Sequence, residues 1–163
     1  MAPRYGWGKI GSRIYYSAPY NRGNYYTIIS AISYRKVEAA LYGEWCGNGF
    51  IFLNFIEQSL CPKLHKGNVV VMDNVAFHKI NGVRELIEGA GARLIYLPPY
   101  SPDLNPIEMM WSKLKGYLRN IAIRNANKLQ DGLYNAFTSI NATDLQGWFK
   151  HCGYLDQYYR EAL

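Results

Sequence analysis

The sequence predicts an α/β protein, a mixed sheet with helices on its faces. Three observations carry that prediction. Tyr- and Ile-rich segments with turn residues between them open the chain; two short runs of β-branched and aliphatic residues follow, separated by one helical pattern; and from residue 107 onward every apolar period is helical. Antiparallel strands first, then strand, helix, strand, then helices is the order of a mixed sheet.

Residues 11–18 and 24–34 are rich in Ile, Tyr and Thr, and Asn21-Arg22-Gly23-Asn24 between them is a turn signal, so a β-hairpin is expected there, with a third strand at 37–42. Phe50, Leu53, Phe55, Ile56 and Leu60 sit at mostly helical spacing, and Pro62 stops that element. Val69-Val70-Val71-Met72 is a continuous run typical of a strand buried on both faces, and it ends in Asp73-Asn74. Ile80, Val83, Leu86, Ile87 and Ala90 then describe an amphipathic helix closed by Gly89 and Gly91. Arg93-Leu94-Ile95-Tyr96-Leu97 is the next short strand, followed by a proline-stiffened loop over 98–106. Ile107, Met110, Trp111, Leu114, Leu118 and Ile121 mark a long helix; two more are expected around Leu129–Ile140 and Leu145–Cys152.

Composition narrows the class. With 163 residues, 49% of them hydrophobic, there is enough apolar material for one compact core, and no repeat or low-complexity stretch suggests anything else. The apolar runs fall far short of the roughly 20 residues a bilayer span needs, so no membrane partner is expected. The N-terminal residues lack a signal peptide's apolar core. The three cysteines have no metal-type spacing, which fits a reduced cytosolic compartment. The net charge of +6 is concentrated at one end. Residues 1–37 hold Arg4, Lys9, Arg13, Arg22, Arg35 and Lys36 and no carboxylate, and they interleave these cations with Tyr and Trp. Cations that neutralise phosphates, beside rings that pack on sugar or base, suit a nucleic-acid backbone, with Arg13 and Arg22 as candidate contacts. A solvated, Tyr-rich hairpin has the same composition.

Two carboxylates stand out. Asp73 is the first polar residue after a buried strand, at the strand's carboxyl end, where open α/β sheets place their ligands. A plain turn residue would look the same. Glu108 lies in the first turn of the helix after the next strand, where it also fits a capping box with Asn105 at the N-cap and Pro106 at N1. The combination favours chemistry, because two adjacent parallel strands deliver both acids to one edge of the sheet. Their hard oxygens suit magnesium or manganese, and such ions can activate a water or hydroxyl and stabilise a leaving oxygen at a phosphodiester. On the helical wheel Lys115 and Arg119 lie within about 20° of Glu108, a basic strip leading away from it. His78, five residues after Asp73, is a further candidate for a phosphate contact.

These residues form a pattern. Val70-Val71-Met72-Asp73-Asn74 with His78-Lys79, then Leu97-Pro98-Pro99-Tyr100-Ser101-Pro102-Asp103-Leu104-Asn105-Pro106-Ile107-Glu108 with Trp111-Ser112-Lys113-Leu114-Lys115, resembles the DDE transposases of mariner-like elements and related bacterial insertion sequences. The resemblance runs over roughly the whole chain. It implies a ribonuclease-H-like fold and Mg2+- or Mn2+-dependent cleavage and strand transfer at transposon ends, with Asp73 as the second catalytic acid and metal ligand and Glu108 as the last. It also implies DNA partners, both transposon ends and target, a homodimer or co-assembly with full-length transposase, and a bacterial, nucleoid-associated setting. The family's first catalytic Asp belongs to a strand preceding residue 5, and no carboxylate precedes Glu38. Residues 1–125 are therefore expected to form an incomplete catalytic domain, truncated at its first, central strand, with 126–163 as helices packed on the same domain. Such a chain is expected to be inactive alone. The alternative is a non-catalytic DNA-binding or transposase-interacting module.

Overall fold

In the computed structural model, residues 7–15, 25–121 and 126–154 are described. Strands β1 (Thr27–Ile32) and β2 (Val37–Gly43) form an antiparallel pair, and β3 (Val69–Met72) and β4 (Arg93–Tyr96) a parallel one. Helix α1 (Gly49–Phe55) lies between the pairs in sequence, α2 (Val83–Gly89) connects β3 to β4, and α3 (Pro106–Asn120), α4 (Ala126–Thr138) and α5 (Ala142–His151) complete the chain. Among the described residues no helix is long and apolar enough to cross a membrane.

The hairpin is displaced from its expected place. Residues 12–15 are not strand, residues 16–24 lie outside the described set, and the strand at 27–32 turns through 33–36 to pair with the segment expected to be a third strand. Ser33 anchors this turn, its N–H donating to the Lys36 carbonyl at 2.9 Å. The register sets Ile29 opposite Leu41 and Ala31 opposite Ala39, all toward one core, while Ile28 and Tyr42, also paired, pack into a second. Period-two alternation thus gives this sheet two half-buried faces, each packed against a core.

The first core joins Phe52, Phe55, Ile56 and Leu60 to Met72, Leu94, Val83 and Ile87. Phe50, expected inside, is exposed, and Phe52 takes the core position. The Asn48 side chain caps the helix by accepting from the Ile51 N–H at 3.0 Å, which leaves Phe50 in the solvent-facing first turn. Beyond Phe55 the helix widens into a π-helical turn, Ile56–Leu60, which keeps residues 52, 56 and 60 on one face before a 3-10 turn containing Pro62. The second core places Leu114 and Leu118 of α3 against Leu133 and Ala136 of α4.

The parallel strand order is as the sequence predicts, but the strands do not join one mixed sheet: each pair stands as a two-stranded sheet among the described residues. Nor is β3 buried on both faces. Val70 and Met72 enter the first core, whereas Val69 is 49% exposed and Ile95, on β4 opposite Val71, 37%, because α3 and α4 cover the back of β1–β2. Helix α2 begins at Val83, three residues later than the apolar period suggests, its N-terminal Gly82 N–H capped by Glu85 at 2.9 Å. It closes as expected at Gly91, whose φ of 85° allows Ala92 to donate back to Ile87 and Gly91 to Glu88.

Candidate active site

Asp73 leaves the sheet one residue past β3, where the Met72 carbonyl accepts from the Leu97 N–H at 2.8 Å and so locks the carboxyl ends of β3 and β4 together. The chain then passes through a 3-10 turn, Ala76–Lys79, that carries His78 back over Asp73. His78 Nδ1 lies against Asp73 Oδ1 and 3.4 Å from the Asp73 carbonyl. The imidazole is held on its other side by rings: it stacks on Phe52 at 4.4 Å and 29°, and Phe77 packs edge-on against both. Tyr96 Oη donates to the His78 carbonyl at 2.8 Å, tying the turn to β4. His78 is therefore a neighbour of Asp73. This aromatic clamp has no signal in the sequence, since Phe52 and His78 are 26 positions apart.

Asn74 Oδ1 is a buried oxygen without a hydrogen-bond donor among the described residues, and the adjacent Asp73 Oδ1 is buried with only His78 Nδ1 against it. Buried acceptors of this kind are costly unless something positive meets them. The Asp73 side chain as a whole is 42% exposed, so the rest of its carboxylate is open to solvent. A hard divalent cation fits these donors by its preference for oxygen. Among the described residues no group of three His, Cys, Asp or Glu converges as a complete metal site.

Glu108 sits in the first turn of α3, but the capping box is not formed. Asn105 contributes only its carbonyl, which accepts from the Glu108 N–H at 3.1 Å, and the Glu108 carboxylate is exposed with no ion pair or hydrogen bond among the described residues. The cap thus does not account for the acid. Its loop is held from a distance: Tyr154 Oη donates to the Leu104 carbonyl at 2.8 Å. Lys113, on the same helix, reaches Ser139 at 3.0 Å and Asp144, so α3 is fixed to α5. The Asn141 N–H and then Lys113 hold the Asp144 carboxyl below its ordinary range. Lys115 and Arg119 are exposed and unpaired among the described residues. Arg13 is exposed with its guanidinium 5.8 Å from the Tyr15 ring, and Arg22 lies outside the described residues. All three cysteines are free, and burial pushes the Cys61 and Cys152 thiols up.

A parallel strand pair with an acid at its carboxyl end, an exposed acid on the following helix and helices on both sides of a neighbouring hairpin match the solved structures of a ribonuclease-H-like fold. Residues 1–130 match the family model of the DDE superfamily endonucleases, and the chain belongs to that family. It is 31% identical over 101 residues to the transposable element Tcb1 transposase of Caenorhabditis briggsae, a match covering 60% of this chain and 37% of that protein. It is 33% identical over 95 residues to the Tc1 transposase of Caenorhabditis elegans, covering 56% and 35%. The chain thus spans little more than a third of these relatives, and as nematode proteins they give no support to a bacterial, nucleoid-associated setting. Its fold is similar to the crystal structure of the catalytic domain of Mos1 mariner transposase, with a TM-score of 0.62 at 14% identity over 82% of this chain and 70% of that one. It is also similar to the Mos1 strand transfer complex, with a TM-score of 0.69 at 16% identity over 96% and 48%.

Proposed function

We propose that this chain is the greater part of a transposase catalytic domain that cuts and joins DNA at transposon ends, with Asp73 and Glu108 as two of three catalytic carboxylates and the third supplied by a strand outside residues 1–163. The observation that carries this reading is the placement of two acids with open carboxylate oxygens. Asp73 and Glu108 follow adjacent parallel strands; His78 covers one Asp73 oxygen and leaves the rest of that side chain exposed, and Glu108 has no partner among the described residues. Magnesium or manganese held there supplies charge that activates a water or hydroxyl and stabilises the leaving oxygen. His78, packed against Phe52 and Phe77, keeps the Asp73 side chain in one orientation. Lys115, Arg119, Arg13 and Arg22 neutralise phosphates along the bound DNA. The solved complexes the chain resembles, one of them a paired-end complex with a transposon end, support DNA as the partner. On this reading the DNA is the transposon ends and the target, and the working form is a homodimer or a co-assembly with a full-length transposase.

Two carboxylates cannot position both ions, so the 163-residue chain alone should show little cleavage of transposon-end DNA in magnesium. Extending the coding sequence upstream, in frame or one base out of frame, until it includes an acid-bearing strand should produce cleavage that is lost in Asp73→Asn and in Glu108→Gln. Robust cleavage by the chain alone, or cleavage that survives either substitution, would overturn the assignment. DNA binding with no cleavage from any upstream extension would instead indicate a non-catalytic module.

A further inference from the structure

Tyr100 is unusual in two independent ways. It is the only non-glycine residue with positive φ among the described residues, at 57°, a conformation that L-residues with bulky side chains rarely adopt. Its ring is also 102% exposed, so no packing within the chain explains why the conformation persists. Strain of this kind survives only where the surroundings impose it. Here they do: Pro98 and Pro99 precede Tyr100, Pro102 follows it, and Ser101 Oγ donates to the Pro99 carbonyl at 3.3 Å. Both ends of the loop are anchored, by Leu97 and Pro106 in buried positions and by Tyr154 on Leu104. The loop leaves the carboxyl end of β4, the end at which Asp73 leaves β3.

We propose that Tyr100 is a stacking platform for an unpaired nucleobase at the end of the DNA strand being processed. The inference rests on the proposed function above and adds a binding residue to it. A single ring raised on a stiff loop offers one apolar face with little left to order on binding, which is what a base requires. A protein partner requires several hundred Å² of contiguous surface, and the residues beside Tyr100 are prolines and a serine.

The test uses the full chain and two DNA probes: a duplex with a short single-stranded 3′ end carrying 2-aminopurine at its terminus, and the same duplex fully paired. Wild type should quench the terminal fluorophore. Tyr100→Phe should behave like wild type. Tyr100→Asn, which tolerates the left-handed backbone but removes the ring, should bind the overhang probe about tenfold more weakly and the paired probe unchanged, with an equal or higher Tm. Equal affinity of Tyr100→Asn for the overhang probe, an equal loss on both probes, or a change in self-association in place of DNA binding would overturn the platform while leaving the proposed function standing. Failure of wild type to bind either probe would overturn both.

Discussion

The two small sheets are built to different standards. The β1–β2 pair is half-buried on both faces, with Ile29, Ala31, Ala39 and Leu41 toward one core and Ile28 and Tyr42 toward the other. The β3–β4 pair is packed on one face only: Met72 and Leu94 are buried, Val69 and Ile95 stay partly in solvent, and the two proposed acids follow these strands. Helices α3 and α4 thus cover the back of the hairpin, while the strands beside the proposed site keep one face open.

The sharpest way to break this contrast is to truncate one residue in each region. Leu114, 1% exposed between α3 and α4, should lose about 3 kcal/mol on replacement by Ala, whereas Val69→Ala should change stability by no more than about 0.5 kcal/mol. Urea denaturation of the two variants measures both, and comparable losses would mean that the open sheet is as tightly integrated as the closed one.

A smaller effect lies where α3 meets α5. Asp144→Ala removes an acceptor for the Asn141 N–H and the partner of Lys113, at a cost of about 1 to 2 kcal/mol. Because the folded-state carboxyl sits below its ordinary value, this contribution is fully present above the unfolded range near pH 4 and is lost as pH falls through the lower folded value. Wild type should accordingly lose stability in acid more steeply than the variant, and parallel pH profiles would show that the contact contributes nothing. The smallest effect expected is that of Tyr154→Phe, about 1 kcal/mol or less, read best as faster hydrogen exchange at the Glu108 amide relative to the amides of β1.

Local features of the sequence were the legible ones. The β-branched run at 69–72, the glycine closing α2 and the four-residue spacing of Met110, Leu114 and Leu118 each depend on neighbours a few positions away, and each appears where the pattern puts it. The hairpin was misplaced because 11–18 and 24–34 share the same Tyr- and Ile-rich composition, and composition cannot choose a partner; the register that packs both faces of β1 against a core does. The helix starting at Asn105 looked self-capping, yet its carboxylate remained free. The Phe52–His78–Asp73 contact and the Lys113–Asp144 pair join residues distant in sequence, and no periodicity encodes either.

The hydrogen bond from Tyr154 to Leu104 closes a span of 50 residues, and it closes it from the far end of the described chain. Synthesis runs from the N-terminus, so the β3–β4 pair can form before Tyr154 is added. The turn that carries Glu108 gains this fastening only once a residue 46 positions further along the chain has been made.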